Sequence, residues 1–284
     1  MNDSESSSSR AGGFREEFAR MMTRPEEDLD LGRAALLVAG EEYPELDVAG
    51  HLRRLDGFAE AVRQRAPAGL PPEELAKLLG RYLFEEQGFR GNSSDYYNPE
   101  NSYFNRVLDT HTGIPITLSL LYLEVARRVG LRCRGVGMPG HFLVGLEGLE
   151  RYFDPFNGGR ALTAEDCRHL AEGLFGPRMT WRDEYLTPCT KYEFLFRLLN
   201  NLKVVYERTG VSGKAAGVIQ RMIMVNPEAT SLHKDLSEML YQLQQYRAAI
   251  RSLETYLRET PDAPDAAQVK SWIESIRITL NRLN

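Results

Sequence analysis

His141 and Asp154, thirteen positions apart, have the residue types for half of a nucleophilic site. A carboxylate bonded to an imidazole fixes its tautomer and stabilises its charged form. The imidazole can then activate a thiol or hydroxyl. The third group belongs at the start of a buried helix, where the dipole and free N–H groups lower a thiol's pKa and bind an oxyanion. The stretch HTGIPITLSLLYLEVARRVGL, residues 111–131, offers such a start, but the residue there is Pro115. Proline suits a first helical turn, with φ preset and no N–H required. His141 and Asp154 also fit a purely structural pairing, a packed strand histidine bonded to an aspartate. Thr117 and Ser119 lie within about a turn of Pro115. Thr117 is the alternative nucleophile, although a helical threonine commonly bonds its own backbone.

The elements around these residues follow from hydrophobic period. Leu118, Leu121, Tyr122, Val125 and Val129 recur at helical spacing, and Leu120 and Leu123 widen the face, so the helix is expected to be buried on most sides. Gly130 reads as its C-cap. RCRGVGM then reads as a strand, and HFLVGLEGLERYFDPF as a hairpin turning at Glu147-Gly148. That turn sets His141 directly opposite Asp154 and puts Phe142, Val144, Leu146, Leu149 and Phe153 on the other face. A one-residue slip would separate the pair. LTAEDCRHLAEGLFG, 162–176, reads as a helix with Thr163 as N-cap and Asp166 near a capping box.

Upstream, residues 14–89 read as a platform of helices without obvious chemistry. RGNSSDYYNPENSYFN, 90–105, reads as a loop, and ordered loops of that length are often functional. Downstream, KAAGVIQRMIMVNPEA (214–229) aligns with AAIRSLETYLRETPDA (248–263). The matches Ala215/Ala249, Ile219/Leu253, Met222/Tyr256 and Pro227/Pro261 share an offset of 34, the period of a tetratricopeptide repeat. TWRDEYLTPCTKYEFLFRLLNNLKVVYER, 180–208, bridges to the repeats with Leu195, Leu198, Leu199, Leu202 and Val205 as its buried face, and its Arg197, Asn200, Asn201 and Lys203 read as a solvated face ahead of a polar contact to the core.

The string NSYFNRVLDTHTGIPITLSLLYLEVARRVGL, then GVGMPGHFLV, then YFDPFNGG resembles the transglutaminase-like superfamily. It is most similar to the members named after the first product of the bacterial SirB invasion-regulator locus, and the resemblance spans residues 50–280. It implies an α+β, papain-like core with a small antiparallel sheet, a helical N-terminal platform and tetratricopeptide-like C-terminal helices. It implies a catalytic His at His141, an Asp at Asp154 and the nucleophile's position at Pro115, an inactive remnant. The expected organisation is a disordered polar tail over 1–13, platform and core over 14–186, and helical repeats over 187–284.

Two functions remain open: a non-catalytic protein or peptide binder, or a hydrolase or acyl transferase using Thr117 with His141 and Asp154. The expected cleft is walled by 95–105, Pro115, 138–141 and 154–159, with Asn101, Tyr103, Asn105, Thr117, Gly140 and Asn157 as candidate binding residues. Tyr96, Tyr97 and Tyr103 serve equally well as core anchors. The net charge of −5 argues against an electrostatic grip on nucleic acid, and no apolar run is long enough for a membrane span. Cys133, Cys167 and Cys189 lack CxxC spacing and cannot all pair, which fits a reducing cytoplasm. His111, His141, Asp154 and His169 lack the spacing of a metal motif, so no metal is expected. FNGGR reads as a turn rather than a phosphate loop, and no cofactor is expected.

Overall fold

The computed structural model describes residues 2–176 and 178–283. The chain divides into two compact units, residues 1–198 and residues 199–284. The first unit opens with α1 (Asn2–Met21), α2 (Leu31–Gly40), α3 (Val48–Arg65) and α4 (Pro72–Gly80). Residues 2–13, expected as a disordered tail, form the first turns of α1; Met1 lies outside the described residues. Once Phe18 and Met21 fix the packed end of α1, each further residue adds a hydrogen bond without a new nucleus. Asp30 and Asp47 cap α2 and α3, accepting from Arg33 N and Gly50 N at 2.8 Å each. Every residue of α2 except Arg33 is buried.

The segment read as one loop is more structured. β1 (Arg90–Gly91) is followed by a 3-10 turn (Pro99–Ser102) and α5 (Phe104–Thr110). β2 (Thr112–Gly113) then pairs in parallel with β1. His111 makes the bend between α5 and β2 in the left-handed region, φ 57°. Its Nδ1 bonds Gln87 O at 2.6 Å, and its ring stacks on Phe89.

Central helix α6 (Pro115–Arg128) touches α2, α3, α4 and α5. It also touches β3 (Cys133–Val136) and β4 (Leu143–Leu146) of the sheet. Tyr122 is fully buried in it and stacks between Phe84 and Phe153. Its hydroxyl donates to Ala76 O at 2.7 Å, tying α6 to α4. The buried Glu124 carboxylate accepts from Gly32 N at 3.1 Å and from Arg127 and Arg128, tying α6 to α2. The C-cap is Val129, and Gly130, expected as the cap, follows one position later at φ 80°.

The sheet continues through β5 (Tyr152–Asp154) and β6 (Arg160–Leu162), antiparallel throughout in the order β3-β4-β5-β6. Val144 pairs with Phe153 and Gly145 with Tyr152. Leu146 N donates to Arg151 O, so the hairpin turns over four residues, 147–150, and not over Glu147-Gly148 alone. The register is therefore two residues from the one expected, and Leu149 lies at the half-exposed tip instead of the inner face. On one face Val136, Leu143 and Leu162 pack with Cys167 and Ala171 of α7 (Ala164–Phe175). α7 begins in the capping box read from the sequence. Thr163 N donates to Asp166 Oδ2 at 2.8 Å, and Asp166 N to Thr163 Oγ1 at 3.2 Å.

Helix α8 (Lys191–Arg208) starts in the first unit, where Phe194 packs edge-on against Phe142 at 4.9 Å. The second unit comprises the rest of α8 and α9 (Ser212–Val225), α10 (Leu232–Gln242), α11 (Tyr246–Glu259) and α12 (Ala266–Leu283). α10 touches both α9 and α11, and α12 closes on α11. The repeat-matched pairs Ala215/Ala249, Ile219/Leu253 and Met222/Tyr256 are all buried. No helix among the described residues is long and apolar enough to cross a membrane.

Removing the Tyr122 hydroxyl leaves a buried carbonyl, Ala76 O, without this donor. Tyr122→Phe is expected to lower unfolding free energy by about 1–2 kcal/mol, measured by urea denaturation, with α-helical content unchanged.

Candidate functional site

Asp154 ends β5 and caps a 3-10 turn, Pro155–Asn157. Its carboxylate has no solvent exposure. Oδ1 accepts from His141 Nε2 at 2.9 Å and from Asn157 N at 3.2 Å; Oδ2 accepts from Asn157 Nδ2 at 2.7 Å. Burial alone would push this carboxyl up. The hydrogen bond and charge of His141, together with the two bonds from Asn157, outweigh it and hold the group below the usual aspartate range.

His141 comes to Asp154 diagonally. Extending the β4–β5 register by one pair sets Leu143 opposite Asp154, and His141 lies two residues before Leu143 on the same side. Such a diagonal spacing is about 7–8 Å between backbones, within reach of an imidazole. A two-residue slip keeps sides and a one-residue slip exchanges them, so the pair survives the altered register.

An ionised carboxylate only accepts, so His141 Nε2 carries a proton directed at Asp154 and Nδ1 is the nitrogen turned away from it. No group among the described residues bonds Nδ1. This is the nitrogen through which such a pair would take a proton from a nucleophile.

Two further contacts hold the histidine. Before it, Gly140 bends the chain at φ 67°. The carbonyls of Gly137 and Met138 accept from the Arg197 guanidinium, the second at 3.1 Å. Arg197 also lies over the Phe142 ring at 5.4 Å, and burial lowers its pKa. Arg197 is therefore a polar contact of α8 to the core, the second of the two readings the sequence left open, and not part of a solvated face. Beside the imidazole, the Phe156 ring stands edge-on at 6.0 Å. A Cβ on Gly91 would fall 2.6 Å from Phe156, so only glycine lets β1 approach there. Gly91 pairs with Gly113, two residues before Pro115. The start of α6 is thus connected to the imidazole through Gly113, Gly91 and Phe156.

A family model described as the transglutaminase-like superfamily matches residues 50–200, and a tetratricopeptide-repeat model matches residues 202–274. A UPF0162 protein of Xylella fastidiosa is 35% identical over 260 residues, 89% of this chain and 92% of its own. The chain belongs to the transglutaminase-like superfamily. A UPF0162 protein of Pseudomonas aeruginosa is 31% identical and covers 82% of this chain and 85% of its own. F-box only protein 21 of mouse is 43% identical over 118 residues, 36% of this chain and 19% of its own. No solved structure matches the chain.

Of the residues expected around the superfamily site, His141 and Asp154 come together and Asn157 joins them as the carboxylate's second partner. Pro115 is the first residue of α6. Four of the expected cleft residues are instead buried. Asn101 Nδ2 donates to Asp95 O at 2.7 Å, and its Oδ1 accepts from Asn92 Nδ2. Tyr103 meets Tyr43 edge-on at 5.5 Å. Asn105 lies inside the first turn of α5. Thr117 Oγ1 donates to Asn101 O at 2.8 Å and accepts from Ile114 N at 3.1 Å. These groups hold the 92–102 segment against the start of α6. Gly140 and Asn157 remain at the surface.

The three cysteines are poor nucleophiles. Burial pushes Cys133 and Cys167 up to about 12 and Cys189 to about 11. Among the described residues no three His, Cys, Asp or Glu side chains gather as a metal site. His111 is engaged by Gln87 and Arg54, and His169 by Glu165. The sequence reading missed Gly91, did not single out Phe156 within the 154–159 wall, and ranked a core contact for Arg197 second. The spacing of Asp154 and Asn157 in DPFN was an Asx-type turn signal that would have paired them.

Because the folded Asp154 pKa lies below its ordinary 3.8, its contribution to stability is full above that value and is lost as pH falls through the lower folded value. Asp154→Asn should be destabilised relative to wild type by about 2 kcal/mol at neutral pH. Urea midpoints measured from neutral pH downward should begin to converge as pH falls below 3.8 and meet only below the lower folded value.

Proposed function

We propose that this chain is a non-catalytic, polypeptide-binding member of its superfamily, with Pro115 in the nucleophile's position. The observation that carries the reading is the chemistry of Pro115 at the first position of α6. A helix start that performs acyl chemistry supplies a nucleophilic side chain and a backbone N–H for the oxyanion. Proline supplies neither. The remaining machinery is kept: an imidazole oriented by Asp154, with a second nitrogen that no described protein group uses. The commitment of the Thr117 hydroxyl to Asn101 O and the raised pKa of all three thiols support the same reading.

The tetratricopeptide unit supports a protein partner, since stacked helix pairs present extended surfaces to polypeptides. The net charge of −5 favours that partner over nucleic acid. Within the superfamily we place the chain with the SirB-locus type, on the order of its Gly-Ile-Pro, His141 and Phe-Asp-Pro motifs and its repeat tail. Three cysteines that cannot all pair suit a reducing cytoplasm.

Purified wild type is expected to show neither amine incorporation nor amide hydrolysis. Pro115→Cys restores both a thiol and a backbone N–H. Its new thiol should be alkylated at neutral pH at least about tenfold faster than the native cysteines, and His141→Ala in that background should remove the advantage. Wild-type activity that disappears in His141→Ala would overturn the reading.

A further inference from the structure

A cleft of about 740 Å3 opens in the first unit at the C-terminal end of α6. Its walls are residues 27–31, the last turn of α6, the start of β3 and the first residues of α8. Leu29, Leu123, Leu131 and Phe194 line it with apolar surface. Most of its charges are used within the protein. The buried Glu124 carboxylate holds Arg127 at 3.1 Å, and Asp30 faces the same guanidinium at 3.8 Å. Arg134 pairs with Glu147. Lys191 Nζ donates to Leu29 O at 2.7 Å and to Glu27 O at 3.2 Å, and its backbone N–H donates to Glu26 Oε1 at 2.8 Å. These bonds clamp residues 26–29 onto the first turn of α8. The remaining charged side chains of the lining have no partner among the described residues. They are the Glu27 and Asp28 carboxylates on the clamped segment and the Arg132 guanidinium at the junction of α6 and β3.

We infer that this cleft binds a small extended zwitterion, the chemistry of a short peptide with both ends free. Its carboxylate meets Arg132, its ammonium meets Glu27 and Asp28, and its apolar body covers Leu29, Leu123, Leu131 and Phe194. The two signs select this occupant. An anion gains Arg132 but is repelled by Glu27 and Asp28, and a cation gains the two acids but is repelled by Arg132. Only a ligand charged at both ends gains from both walls. The guanidinium fork suits a carboxylate, which it can hold through two parallel hydrogen bonds. The backbone behind these groups is already fixed, at Glu27 by Lys191 and at Arg132 by the bond from Glu147 N to its carbonyl at 3.0 Å, so binding orders little main chain. The volume falls within the range of about 300–1,000 Å3 typical of small-ligand sites. α6 has 14 residues, which puts its last turn about 15–20 Å from Pro115. The cleft is therefore separate from the His141–Asp154 site.

The test is calorimetric titration of the intact chain at low ionic strength with Ala-Leu-Ala, Ala-Leu-Leu-Ala and Ala-Leu-Leu-Leu-Ala. Each is used with free ends, N-acetylated and C-amidated. At least one free peptide is expected to bind with a Kd on the order of 0.1–1 mM. Blocking either end should weaken binding about threefold or more. Arg132→Gln should abolish the effect of amidation and keep that of acetylation. The double variant Glu27→Gln/Asp28→Asn should do the reverse. All three side chains are exposed, so folding is not at stake. No binding of any free peptide below about 10 mM, or end-blocking that costs nothing, or costs that do not follow these variants, would overturn the inference. None of these results bears on Pro115, which is decided by the amine-incorporation assay.

Discussion

The Asp154 carboxylate is the group around which the site is organised. A fully buried charge costs on the order of several kcal/mol unless it is paired and hydrogen-bonded. Its three hydrogen bonds come from two places, and each shapes backbone. The bonds to Asn157 wind residues 155–157 into a tight turn, and Gly158 and Gly159, both at positive φ, return the chain into β6. The bond to His141 draws the end of the 137–140 turn onto the sheet, where Arg197 holds the preceding carbonyls. α6 then rests against the 155–157 turn. A single electrostatic requirement thus sets the β5–β6 connection, the approach to β4 and the seat of the central helix.

The sequence exposed the elements more fully than the surfaces. Helical period located α6, α7 and the repeat helices, because one buried stripe per helix is enough to betray it. The 34-residue offset located the repeats, and three of the four aligned pairs, all but Pro227/Pro261, proved to be buried. The hairpin was legible as a hairpin, but its register was not. Glu-Gly is a weak turn signal, and the four-residue turn is fixed by the Leu146–Arg151 backbone bond, which has no side-chain signature. The His141–Asp154 pairing was still readable, since an even slip preserves sides.

What could not be read was the destination of polar side chains. Asn101, Tyr103, Asn105 and Thr117 have the types of a binding cleft, yet they are buried. Backbone in a non-repetitive segment must find partners, and here Asn101 and Thr117 supply some of them. Arg197 had the opposite fate: its spacing on α8 put it among solvated residues, while the carbonyls it serves lie sixty positions earlier in the chain. Neither outcome has a local signal.

Residue 115 stands apart from all of this. α6 is held by the Tyr122 hydroxyl, by Glu124 and by the reach of Thr117 back to Ile114 N, and none of these bonds uses the side chain at 115. The first helical position also needs no N–H, so proline there satisfies the helix as well as any residue. The fold therefore makes no demand on the side chain at position 115 beyond its fit to a first helical turn. An imidazole oriented by a buried carboxylate, by contrast, constrains three stretches of backbone at once. That asymmetry separates the His141–Asp154 pair, which several backbone stretches depend on, from the side chain at 115, which none of these bonds uses.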